Sequence, residues 1–191
     1  MSVSQVSIRG AVVMRPLCCP AATVAPVSAP SSATVRPAAP DDVPDIVRLV
    51  RDLAEYERAL DQMSMTPQQL TGALFPDHAP PALFAHVAEV DGHVVGTALW
   101  FLSFSTWTGT HGIWLEDLYV DPAYRGRGLG QDLLRTLAQV CVDRGYDRFE
   151  WWVLDWNAPS IGFYESIGAA PQAEWVRYRL AGSRLAAHAA T

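Results

Sequence analysis

The segment YRGRGLGQDLL, Tyr124 to Leu134, sets Gly126, Gly128 and Gly130 at alternate positions beside Arg125 and Arg127, directly ahead of an apolar run with helical spacing. Glycine permits backbone angles and close ligand approaches that a Cβ forbids. The first turn of a helix leaves N–H groups without intrahelical partners, and the helix dipole favours negative charge there. Together these residues describe a cradle for a phosphate or pyrophosphate, with two guanidinium groups adding positive charge. Spacing separates the loops that share this chemistry. A P-loop needs a lysine after its last glycine, and all 14 basic residues of this chain are arginine. A dinucleotide fingerprint needs Gly-x-Gly-x-x-Gly opening the fold. Here the spacing is Gly-x-Gly-x-Gly after a fourth strand, although Glu150 lies about where a ribose-binding acid would. A third pattern, Arg/Gln-x-x-Gly-x-Gly/Ala between strand and helix, is met by Arg125, Gly128 and Gly130.

The elements around the loop follow from periodicity. GIWLEDLYV reads as the preceding strand, ended by Asp121-Pro122, and GQDLLRTLAQVCVDRG as the following helix. Leu129, Leu133, Leu137, Val140 and Cys141 share one face of that helix, and Gly145 stops it. Upstream, Thr34 to Arg36 reads as a first strand and Pro37 to Pro40 as a turn, with Asp41 or Asp42 capping a helix over 43–58. Thr66, Pro67 and Gln69 form the signature of a capping box, so a second helix runs to Leu74. ALFAHVAEV and HVVGTALWFLSF flank Asp91-Gly92, a two-residue hairpin signal. Downstream, RFEWWVL predicts a fifth strand, SIGFYESIG a short helix and AEWVRYRL a sixth strand. The order is an α/β fold: a mixed, mostly antiparallel sheet of about six strands with about four helices, and one parallel step at the glycine loop.

Composition bounds the rest. The 191 residues suit one domain, placed at 34–182, with residues 1–33 read as a disordered extension rich in Ala, Pro, Ser and Val and residues 183–191 as a tail. Residues 37–191 hold 11 arginines against 20 acids, which repels nucleic acid and attracts cationic partners such as amines. Three cysteines make neither a disulfide framework nor a metal site, His78, His86, His93 and His111 lack ligand spacing, and a reducing cytoplasmic home without membrane or metal is expected.

On these residues, LEDLYVDPAYRGRGLGQDLL resembles the acetyl-CoA-binding motif of the GNAT N-acetyltransferase superfamily, and VLDWNAPSIGFYESIGA resembles its following motif. The likeness spans roughly residues 34–180, includes RDLAEYE on the first helix, and is nearest the diamine (spermidine/spermine) and thialysine branch. It implies acetyl-CoA as acetyl donor, a small cationic amine as acceptor and a homodimer. Acyl transfer from a thioester needs a neutral amine, a stabilised oxyanion and a proton for the departing sulfur. The resemblance gives Tyr164 the proton-donor role. It assigns backbone groups of Leu118, Tyr119 and Val120 to the pantetheine arm, Arg125 with Gly126, Arg127, Gly128, Leu129, Gly130 and Gln131 to the pyrophosphate, and Asn157 and Ser160 to the opposing side. Tyr56, Glu57 and Trp107 are acceptor-site candidates. Glu116 and Asp117, as neighbours on a strand, should point to opposite faces, and the resemblance selects Glu116 as the residue that removes the amine proton. The polyamine enzymes carry an acid near the position of Ser105, which favours a shorter amine or an amino-acid side chain here.

Overall fold

The computed structural model describes residues 33–190, so the expectation for residues 1–33 falls, apart from Ala33, outside them. Strand β1 (Ala33–Pro37) leads to α1 (Val43–Tyr56) and α2 (Pro67–Leu74), then β2 (Phe84–Val90), β3 (His93–Ser105) and β4 (Thr110–Val120). Helix α3 (Leu129–Arg144), β5 (Phe149–Trp151), α4 (Ala158–Ser166) and α5 (Gly182–Ala189) complete the chain. Among the described residues the sheet runs β1-β2-β3-β4-β5 and only the β4–β5 pair is parallel. Local chemistry is where the sequence put it. Asp91 and Gly92 both take positive φ in the β2–β3 turn, and Thr66 and Gln69 satisfy each other's backbone N–H at the start of α2.

The sheet separates two apolar cores. On one face α3 lays Leu133 and Leu137 on Trp100, Ile113 and Leu115. On the other, α1 and α2 cover Val87 and Leu99 with Ile46, Leu49 and Leu70. Arg36 ties the first turn to the sheet, donating to both carboxylate oxygens of buried Asp42 and to Glu89. His86 is likewise structural: its Nδ1 accepts from the buried indole N–H of Trp100 at 3.2 Å, and burial pushes its pKa down. Gly112 is required by a close approach, since a Cβ there would lie 2.9 Å from the Arg148 carbonyl beside β5.

Two irregularities shape β4. Its register against β3 passes from Leu99↔Asp117 to Trp100↔Leu115, which leaves Glu116 as the extra residue of a β-bulge. Pairing with β5 covers only Ile113, Trp114 and Leu115 and stops one residue before that bulge. Beyond it the two strands splay, and a cleft opens between them.

The expected sixth strand does not form. Residues 173–180 have a strand's alternation, but Trp175, Val176, Tyr178 and Leu180 are exposed and the backbone joins no ladder. Alternation stabilises a strand only where a neighbouring edge and a buried face receive it, and among the described residues neither is offered. The tail carries a helix, α5, none of whose residues is buried. Among the described residues no helix is long and apolar enough to cross a membrane.

Candidate active site

The cleft encloses about 830 Å³ between residues 114–120 of β4, the chain leaving β5, the end of α1 and the N-termini of α3 and α4. At one end of the cleft the glycine loop meets the start of α3. Gly126 and Gly128 both adopt positive φ, +75° and +85°. Gly128 is the N-cap of α3 and has no side chain to cap it, so the first helical N–H groups are left for a ligand. Leu129, Gly130 and Gln131 border the cleft there. Arg125 donates to the Val120 carbonyl at 2.9 Å and lies over the rings of Tyr119 and Tyr56. Arg127 stacks on Tyr124 and does not border the cleft.

Leu118, Tyr119 and Val120 line the wall where β4 has lost β5, so that edge presents backbone groups that no fifth strand takes up. Across the cleft, Asn157 caps α4, its Oδ1 accepting from the Ser160 N–H. The same Oδ1 accepts from the Tyr56 hydroxyl at 3.0 Å, so Tyr56 bridges the end of α1 to the start of α4.

The bulge overturns one expectation. Trp114 and Tyr119 both lie on the α1 face, whereas Ile113, Leu115, Leu118 and Val120 pack toward α3. The three-residue step from Leu115 to Leu118 fits only if Glu116 and Asp117 both fall on the α1 face. The two carboxylates therefore share the cleft with Glu57, and the sequence alternation that sent them apart is broken at Glu116. Burial, then the charges of Glu116 and Glu57, push the Asp117 pKa up to about 6. Burial also raises that of Glu57. Glu116 is more exposed and accepts from the Trp114 indole N–H at 3.2 Å.

Tyr164 reaches the cleft from α4, packed 5.0 Å from the Trp151 ring and half-buried. Burial, and secondarily Glu57, push its phenol up to about 12, so it keeps its proton at neutral pH. Trp107 stands apart: it occupies the turn after β3 with 89% of its surface exposed and does not border the cleft. Ser105 is buried and its Oγ accepts from Thr108 N–H in the same turn. Cys141 is buried on the core-facing side of α3 and does not border the cleft, and burial raises its thiol pKa. Sequence reasoning sent Asp117 to the opposite face and passed over Trp152, Arg177 and Arg179; all four are on the cleft wall. The alternate arginines of WVRYRL were the available signal for the last two.

Comparison with known proteins agrees with this chemistry. Residues 46–169 match the model of the Acetyltransferase (GNAT) family. The chain is 34% identical over 166 residues to the thialysine N-epsilon-acetyltransferase of Sus scrofa, covering 81% of this chain and 96% of that one. It is 29% identical over 197 residues to the L-ornithine N5-acetyltransferase NATA1 of Arabidopsis thaliana, covering 80% and 86%. Among solved structures, the V. cholerae integron cassette protein VCH_CASS6 superposes with a TM-score of 0.70 at 24% identity, covering 84% of this chain and 99% of that one, a likeness of fold. A bare helix N-terminus behind positive-φ glycines, an unpaired strand edge and a sequence shared over nearly a relative's whole length place the chain in the GNAT acetyltransferase family, as an acetyl-CoA-dependent N-acyltransferase.

Proposed function

We propose that the protein transfers the acetyl group directly to the primary amine of a small cationic acceptor, of the thialysine or polyamine kind. The observation that carries this reading is the meeting, at one cleft, of the glycine-bordered anion site with three carboxylates and a protonated phenol. The names of the thialysine and ornithine relatives support a small amine. When bound, acetyl-CoA supplies an activated thioester. The first N–H groups of α3 hold its pyrophosphate with Arg125 beside them, and Arg127 adds charge from outside the cleft. The β4 edge at Leu118 to Val120 aligns the arm, and Asn157 and Ser160 close the opposite side. Glu116 and Asp117, aided by Glu57 and Tyr56, hold the acceptor ammonium and take its proton, and Tyr164 keeps a proton positioned for the sulfur. Cys141, buried on the core-facing side of α3, does not border the cleft, which favours direct transfer. A homodimer belongs to the same reading, supported by the exposed aromatic rings of Trp107, Trp175 and Tyr178.

A CoA-release screen over diamines, polyamines, thialysine, lysine and peptides tests the reading. We expect turnover on small amines, falling roughly 100- to 1,000-fold in kcat in Tyr164→Phe with acetyl-CoA binding retained. Turnover on peptides alone would make this a protein acetyltransferase. Tight acetyl-CoA binding with no turnover on any amine would make it a binding module. Sedimentation decides the dimer, which a strict monomer would refute.

A further inference from the structure

Helix α4 brings Tyr164 to the cleft, yet none of its own residues is fully buried. A short helix that buries so little of itself is placed by its anchors. One anchor lies near its C-terminus, where Phe163 and Tyr164 pack against the α3-side core, Tyr164 on Trp151. The other is its N-cap, Asn157, which is only 6% exposed. The Asn157 Oδ1 accepts from the Ser160 N–H at 3.4 Å, a long bond for a cap. Its shorter bond comes from far along the chain, the Tyr56 hydroxyl donating to the same oxygen at 3.0 Å.

Tyr56 is itself held. It ends α1, and the turn after it is closed by Arg58 in the left-handed region, φ 59°, with the Arg58 and Ala59 N–H groups on the Glu55 and Ala54 carbonyls. The Tyr56 ring meets the Trp156 indole at 6.1 Å, and the Arg58 guanidinium lies 5.7 Å from the centroid of that indole. Arg125 of the glycine loop lies 5.6 Å from the Tyr56 centroid. One phenol therefore joins the end of α1, the loop ahead of α3 and the cap of α4, while Glu57, the next residue, borders the acid side of the cleft. A phenol has one proton to donate and lone pairs with which to accept. With its proton on Asn157, the Tyr56 oxygen still accepts from an ammonium beside Glu57, and a hydroxyl that accepts from a charged donor gives its own proton more strongly.

We propose that Tyr56 is a positioning residue: through Asn157 its hydroxyl sets α4, and with it the Tyr164 phenol, against the end of α1 that carries Glu57. Acceptor side and proton donor are thereby held in one frame. An ammonium arriving at Tyr56 tightens the helix whose tyrosine keeps the proton for the departing sulfur. This role rests on the amine-acetylating reading above and adds the contact that joins its two halves.

Tyr56→Phe keeps the ring beside Arg125 and Trp156 and removes only the hydroxyl. We expect kcat to fall roughly tenfold or more, the scale of a misplaced catalytic group, with the acetyl-CoA KM within about twofold of wild type. Tyr56→Leu also takes the ring from Arg125, and should lower kcat equally while raising the acetyl-CoA KM roughly two- to fivefold. Added to Tyr164→Phe, Tyr56→Phe should change kcat by less than about twofold, because a hydroxyl that is absent cannot be misplaced. Losses in kcat that multiply across the two variants would overturn the role and leave Tyr56 an acceptor contact alone, as would an unchanged kcat in Tyr56→Phe. Amide hydrogen exchange gives a readout without turnover. Exchange at Ser160 and Ile161, whose N–H groups bond Asn157, should quicken roughly three- to tenfold in Tyr56→Phe while the amides of α3 keep their wild-type rates. Unchanged exchange at the start of α4, or an equal rise in α3, would overturn the anchor. If no amine is turned over, the acetylation reading fails separately, and the exchange rates still decide whether Tyr56 holds α4.

Discussion

The Asp117 carboxylate is held where its charge weakens the fold. Its native pKa of about 6 stands above the ordinary 3.8 because burial and two neighbouring acids oppose its charge. Below pH 3.8 the carboxyl is protonated in both folded and unfolded chains and contributes nothing. Between 3.8 and about 6 the unfolded chain ionises more readily, so native stability declines as pH rises, and above 6 the deficit is constant. Two pKa units correspond to at most about 3 kcal/mol. Asp117→Asn should therefore raise the melting temperature at pH 8 and lose that advantage at pH 4, as thermal melts at the two pH values would show. The same variant should lower kcat/KM for amines, and the acidic limb of the wild-type pH profile, centred near 6, should disappear with it. A melting gain that is equal at both pH values would mean that the carboxyl is not electrostatically strained. Asp117 was not recognisable from sequence as a cleft residue because side-chain direction along a strand is inferred from alternation, and alternation fails at a bulge.

At the scale of elements, the bulge at Glu116 does more than turn one side chain. Removing that residue would leave Leu115, Asp117, Leu118, Tyr119 and Val120 in strict alternation, with every buried side chain still on its own face. The deletion should consequently fold, and it should let β4 pair with the chain past β5 instead of splaying from it. We expect calorimetric binding of CoA to weaken by at least about tenfold in the deletion, while Glu116→Ala, which keeps the bulge, binds CoA as the wild type does. Unchanged binding in the deletion would separate the cleft from the bulge. What was legible beforehand at this scale is what local residues decide. The Asp91-Gly92 turn, the Thr66–Gln69 box and the Gly145 stop depend on a few neighbours and were readable as they stand. The bulge depends on register against β3, and residues 173–180 carried a strand's alternation with no edge to join. Both are decided by partners distant in sequence, which periodicity does not register. Under the proposed function the glycine loop and α4 were legible for a different reason: holding the donor restricts both residue type and spacing.

For the whole molecule, charge is the property that the chain brings to the encounter with its substrates. Residues 37–191 carry 11 arginines against 20 acids, yet the glycine loop and the C-terminal segment place arginines at the cleft. An acidic body attracts amines from beyond contact distance, and salt weakens that pull as the screening length falls from about 30 Å at 0.01 M to about 8 Å at 0.15 M. Raising sodium chloride across that range should therefore lower kcat/KM for amines several-fold. The fall should be steeper for a diamine carrying two positive charges than for an amino acid whose carboxylate cancels one. Acetyl-CoA is an anion repelled by the same field, and under the proposed function local arginines and helix N–H groups receive it, so its kcat/KM should not fall in parallel. Steady-state kinetics at fixed pH with each substrate varied in turn measures all three slopes. Parallel salt dependence for donor and acceptors would indicate a general effect on the fold, whereas divergent slopes would tie the acidic body to acceptor capture and the cleft arginines to anion binding.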